Sequence, residues 1–97
     1  MRMDDCYYLI TIYANDCYIG RMEASEDEIV GYLAKIVQMY KALSKERHLL
    51  YCIGVAKLGK RGIYLRHLVD YIIIKGETFA IIKDENGEGH IKRIGGI

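Results

Sequence analysis

The chain has no proline and no tryptophan, and its single phenylalanine is Phe79. Every residue therefore brings a backbone N–H to a helix or a sheet ladder. Also absent is any apolar run near the ~20 residues that a membrane-crossing helix needs. The opening residues Met1-Arg2-Met3-Asp4-Asp5 lack the pattern of a secretory leader, so a cytoplasmic protein is expected. Cysteine is scarce. Cys6, Cys17 and Cys52 form an odd set without metal-ligand spacing, and reduced thiols are the simplest reading. His48, His67 and His90 have no ligand spacing with each other or with cysteine. No nucleophile stands with a base in a recognisable pattern. No enzyme activity, metal, cofactor or small-molecule substrate is expected.

The most informative absence is local. From Arg47 to Val69 there is no acidic residue, while Arg47, Lys57, Lys60, Arg61 and Arg66 fall there with His48 and His67. Residues 1–28 carry a balance of −5, residues 29–69 one of +7 and residues 70–97 one of −1. The net charge of +1 hides an asymmetry that points to an acidic or polyanionic partner.

What is abundant is isoleucine and tyrosine. Apolar residues make up 52% of the 97, enough for a modest core in one domain and too many for a disordered chain. So apolar a small chain is expected to form a homo-oligomer. The Ile- and Tyr-rich, proline-free make-up resembles that of many small proteins of hot-living archaea and their viruses.

Residues 6–14 alternate, with Tyr8, Ile10 and Ile12 on one face and Tyr7, Leu9, Thr11 and Tyr13 on the other. Both faces are largely apolar, which predicts a central or doubly covered strand. Asn15-Asp16 suits a two-residue turn, with residues 17–23 returning and Cys17 opposite Ala14. That register sets Cys6 several rungs from Cys17 and argues against a disulfide between them. Ser25-x-x-Glu28 is a capping box, and Glu26, Asp27 and Glu28 suit the positive end of a helix dipole. Ile29, Leu33, Ile36, Val37, Tyr40 and Leu43 recur at helical spacing, predicting a helix over about 26–45. With Val30 on one side and Tyr32 and Met39 on the other, its apolar arc exceeds the roughly 100° of one sheet contact. The domain itself or a second subunit would take up the excess.

Residues 49–56 fit a strand through Leu49, Tyr51, Ile53 and Val55, or a short helix through Leu49, Cys52, Ile53 and Ala56. Their β-branched and aromatic content favours the strand. Residues 57–62 read as a basic glycine-rich loop. Residues 63–74 are a helix in their first part or a long strand. A turn at Gly76-Glu77, a strand over 78–83, a turn over 84–89 with Asn86-Gly87, and a strand over 90–94 complete the chain.

Gly54 to Lys60 fits half of a phosphate-binding loop, but Arg61 stands where Ser or Thr would hold magnesium. Backbone amides with Lys60 remain a route to phosphate. Leu58-Gly59-Lys60-Arg61-Gly62 and the following residues to Leu68 resemble the Gly-x-x-Gly loop of KH domains, which implies single-stranded nucleic acid. The same segment resembles a helix-turn-helix, with residues 55–59 ending one helix, residues 63–71 forming the recognition helix and the C-terminal hairpin as a wing. Asp84-Glu85-Asn86-Gly87-Glu88-Gly89 matches the start of a calcium loop, but Gly95 replaces its closing glutamate. An acidic hairpin tip is expected there. Tyr71 and Lys75 have the spacing of short-chain dehydrogenases without their dinucleotide fold.

The sequence thus predicts an α+β domain. An N-terminal β-hairpin and one long helix pack with an antiparallel sheet completed by C-terminal strands. The alternative is a winged helix-turn-helix arrangement. The expected function is non-enzymatic nucleic-acid binding, with Lys57, Lys60, Arg61 and Arg66 on phosphates and Tyr64 stacking on a base. The competing expectation is a homo-oligomeric protein-interaction module with tyrosines and the helix at its interface.

Overall fold

The computed structural model describes residues 7–94. Strands β1 (Tyr7–Ala14) and β2 (Cys17–Ser25) precede helix α1 (Ile29–Arg47). Strands β3 (Tyr51–Leu58), β4 (Tyr64–Ile74), β5 (Glu77–Lys83) and β6 (Gly89–Ile94) follow. They form one sheet in the order β2-β1-β3-β4-β5-β6, with every neighbour antiparallel. This is the α+β arrangement expected. The winged helix-turn-helix alternative is overturned: residues 55–58 lie in β3 and residues 64–71 in β4. Their Ile, Val and Tyr content packs on a pleated surface, and both edges of β3 are hydrogen-bonded to neighbouring strands. No described helix is long and apolar enough to cross a membrane.

Local chemistry sets the turns. Asn15 and Asp16 both adopt left-handed φ, 48° and 69°, and Cys17 pairs with Ala14 as its spacing predicts. Cys6 lies outside the described residues. The Asn15 side chain accepts the Leu50 N–H at 3.0 Å, tying this turn to the entry of β3. The β4–β5 turn is Lys75-Gly76, with φ of 51° and 79°, one residue earlier than predicted. At the β5–β6 tip Gly87 has φ 82°, and Asp84 Oδ1 accepts the amides of Asn86 and Glu88 at 2.9 Å each.

Helix α1 begins three residues later than its predicted start and ends two later. The Glu28 carboxylate accepts the Ser25 N–H at 3.1 Å and the Ser25 hydroxyl at 3.0 Å. These bonds, with Glu28 N–H on Ser25 O at 3.0 Å, close residues 25–28 as a separate turn ahead of the helix. They hold the Glu28 carboxyl below the ordinary glutamate range, the backbone bond from Ser25 being the main cause.

Ile36 and Val37 of the helix pack on Ile10 and Ile12 of β1 and on Tyr51, Ile53 and Val55 of β3. Ile73 joins them from β4. The helix starts beside the end of β2 and finishes at the β4–β5 turn. There the buried Ser44 hydroxyl accepts the Gly76 N–H at 2.9 Å and donates to Lys41 O at 3.0 Å. The opposite face of the sheet, with Leu9, Thr11, Tyr13, Cys52 and Ile72, is covered by no described element. So β1 is central as predicted, but a described layer covers one of its faces only.

Two buried hydroxyls make a matched pair. Ser44 has both bonds, while Thr78 Oγ1, on the same side of the sheet, has no hydrogen-bond partner among the described residues. Ser44→Ala should cost about 1–3 kcal/mol by stranding the Gly76 amide, whereas Thr78→Val should gain about 1 kcal/mol. Urea unfolding of the two variants checks both signs.

Candidate nucleic-acid interface

The five residues chosen from the sequence come together on one hairpin. Lys57 lies within β3 rather than in the loop, half-buried, and is the cross-strand partner of Arg66 on β4. Alternation from the core residue Val55 puts Lys57 and Arg66 on the helix-bearing face. Lys60 and Arg61 occupy the exposed 3-10 turn between the strands. Tyr64 opposes Leu58, and more than half of its surface (58%) is open to solvent. Ile63 and Leu65 beside it are exposed too.

The backbone of this loop is not a phosphate cradle. Gly59 N–H donates to Ile63 O at 2.7 Å, Gly62 N–H to Gly59 O at 3.2 Å, and Ile63 N–H to Lys60 O at 3.2 Å. Three amides that could have met an anion are spent within the loop. Gly54 lies in the middle of β3, and no helix follows Lys60, so the phosphate-loop half-motif lacks its geometry. The KH resemblance fails likewise, because strands flank the loop on both sides. Binding here therefore falls mainly to side chains.

The edge of β4 supports the same conclusion. Val55 and Ala56 pair with Val69 and His67, leaving Leu68 as an extra residue. Lys57 and Leu58 pair with Arg66 and Tyr64, leaving Leu65 extra. Pairing with β5 stops at Asp70–Ile81, so residues 64–69 have a ladder partner on the β3 side alone. Two bulges and flanking cations make that free edge a poor template for an added strand.

Charge around the hairpin is distributed in three blocks. The described ion pairs join Arg21 to Glu23, His67 to Asp70, His90 to Asp84 and Arg93 to Glu77. Lys57, Lys60, Arg61 and Arg66 take part in none of these. Asp4 and Asp5 lie outside the described residues. The acidic turn ahead of α1 (Glu26, Asp27, Glu28) and the acidic β5–β6 tip (Asp84, Glu85, Glu88) lie at the same end of the sheet, on either side of the hairpin. The basic strip is thus two strands wide, roughly 10 Å.

Beyond Arg66 the helix leaves a corner of its face uncovered. A shallow groove of about 620 Å³ lies there, lined by Leu68, Val69, Tyr71, Ala80, Ile82 and Lys92 among others. Lys92 adds a cation that the sequence did not single out. Only the sheet order, which carries β6 to this side, reveals it.

The remaining sequence candidates resolve differently. Among the described residues no cluster of three His, Cys, Asp or Glu side chains is placed to hold a metal. Both Asp84 oxygens are engaged, Oδ1 by two amides and Oδ2 by His90 at 2.9 Å, as an acidic hairpin tip requires. Gly95, the closing place of the calcium-like pattern, lies outside the described residues. Burial pushes the Cys52 thiol up, and Asp70 and Asp16 push it the same way, so Cys52 stays protonated rather than nucleophilic at neutral pH. Comparison of the chain with protein-family models, with curated proteins and with solved structures returned no match.

The Asp84 carboxyl is held below the ordinary aspartate range, first by His90 and then by the Glu88 amide. Its stabilising effect is complete above the unfolded value of about 3.9 and is lost as pH falls through the lower folded value. The Asn86 and Glu88 amide resonances should therefore begin to shift only below pH ~4. In His90→Ala the same transition should move to higher pH, as an NMR titration of the tip would show.

Proposed function

We propose that this protein binds single-stranded nucleic acid without catalysing a reaction, through the β3–β4 hairpin. One observation carries the reading: Lys57, Lys60, Arg61 and Arg66 converge on one hairpin, with no described carboxylate paired to any of them, and the exposed Tyr64, opposite Leu58, stands near the hairpin's end on the other face of the sheet. Cations without a described carboxylate partner lower the free energy of a phosphate chain and release its counter-ions. Tyr64 supplies a ring face on which any base can stack, a contact worth roughly 1–3 kcal/mol. The groove beside Arg66, with its apolar floor and Lys92, extends the path.

The width of the strip favours one strand over two. A duplex carries phosphates on both sides of a major groove ≈12 Å wide. The cationic strip is no wider than that and has carboxylates on each flank, so a duplex docked on it would bring one backbone against acid. A single strand can follow the cations alone.

Fluorescence anisotropy with a labelled oligonucleotide tests this. With four phosphates neutralised, log affinity should fall against log salt with a slope near −3 for a single strand, using about −0.7 per contact. The double variant Lys60→Glu/Arg61→Glu should abolish binding and keep the wild-type circular dichroism. Tyr64→Ala should weaken binding by roughly tenfold while leaving the salt slope unchanged. A flat salt response, or equal binding by the charge-reversed variant, rejects the reading.

A further inference from the structure

The helix covers one face of the sheet, and the other face is apolar as well. By register, Leu9, Tyr13, Ala56, Ile72, Phe79 and Ile81 lie on that uncovered face, across β1, β3, β4 and β5. Tyr13 and Tyr18 meet there edge to face, with ring centroids 5.8 Å apart. The charged groups towards its middle close on one another, and Lys83, at the end of β5, is the cation of this face outside those pairs. Arg21 and Glu23 pair at 3.1 Å on β2, His67 and Asp70 at 3.0 Å on β4, and Arg93 with Glu77 at 2.9 Å between β6 and β5. The central pair also lies low. A Cβ at Gly54 would stand 3.1 Å from Asp70 Oδ1, 3.1 Å from Thr11 Oγ1 and 3.4 Å from His67 Cε1. These side chains lean into the space the glycine leaves and keep the middle of the face flat.

We propose that two copies of this chain pack through this face, sheet on sheet. Charge decides the occupant. A polyanion or an acidic peptide would seek the cations, and Lys57, Arg66 and the 60–61 turn lie on the helix side or at the tip. A face whose central ion pairs are already closed, with Lys83 left at the solvated end of β5, meets its own copy without like-charge repulsion at its centre and without stranding a charge there. Size agrees. Six strands at about 4.8 Å spacing and about five residues of each strand cover roughly 500 Å² in projection, which the relief of the side chains raises towards the ~800 Å² per partner of a standard interface. Tyrosine at its rim has the amphipathic character that such interfaces favour. A flat centre lets the sheets approach to the ~10 Å of face-to-face packing. The resulting dimer leaves Lys57, Arg66 and the 60–61 turn of both copies free, with Tyr64 at the rim of the packed face, so it stands whether or not the cations bind nucleic acid.

Sedimentation velocity of the full chain at about 100 μM, well above the Kd expected of such an interface, should give twice the 11.2 kDa chain mass. Ile72→Lys should weaken the dimer roughly 100-fold by burying an unpaired ammonium. Met39→Lys, on the exposed side of α1, should leave it intact. A second readout needs no variant. Alkylation of Cys52, on the proposed interface, should slow as wild-type concentration rises, while that of the exposed Cys17, on the other face, should not. A wild-type monomer at that concentration overturns the proposal and leaves the face to a different polypeptide. So does Cys52 alkylation independent of concentration, or a dimer that survives Ile72→Lys and dissociates with Met39→Lys.

Discussion

Strands β1 and β3 are paired along their whole length, from Tyr7–Leu58 to Ala14–Tyr51. Every other strand pair in the sheet is a hairpin between consecutive strands. This one seam therefore joins the N-terminal hairpin to the four-stranded remainder. It also builds the floor on which the helix lies: Ile10 sits opposite Val55 and Ile12 opposite Ile53, all four in the core beneath Ile36 and Val37. Burying such side chains is worth about 1.5–3 kcal/mol each, far more than any exposed ion pair on this protein can contribute. The basic hairpin inherits its position from the seam, because β3 is one of its two strands.

Parts of this arrangement were legible in the sequence. Asn15-Asp16 fixed the first hairpin and its register, since both residues accept left-handed φ. The helix was legible from the spacing of Ile29, Ile36 and Val37, while its first turn was not. Ser25 and Glu28 bond to each other so completely that they close a separate turn. β4 read as helix or strand for a specific reason. Its two bulge residues, Leu65 and Leu68, are three apart and apolar, which imitates helical spacing and interrupts the period of two. Strand order left no local trace, because nothing in residues 7–14 says that residues 51–58 will lie beside them.

The candidate site was legible in its cations and not in its surroundings. A stretch of more than twenty residues without an acid marks Lys57, Lys60, Arg61 and Arg66 as a group, and β3–β4 pairing keeps them one. The carboxylates that flank them come from residues 26–28 and 84–88, distant in sequence and adjacent in space. Those acids narrow the proposed ligand, so the features hidden from the sequence bear on specificity while the visible ones bear on affinity. The internally bonded loop amides also turn recognition away from the backbone and onto long, adaptable side chains.

The seam has a consequence for how the chain assembles. Four strand pairs close over turns of a few residues, fast events of the microsecond range. The β1–β3 pairing must close a loop that contains β2 and the whole helix, an entropic cost that no turn chemistry lowers. That single long-range encounter is accordingly the step that loop entropy makes slowest, and Ile10, Ile12, Ile53 and Val55 are the side chains it brings together.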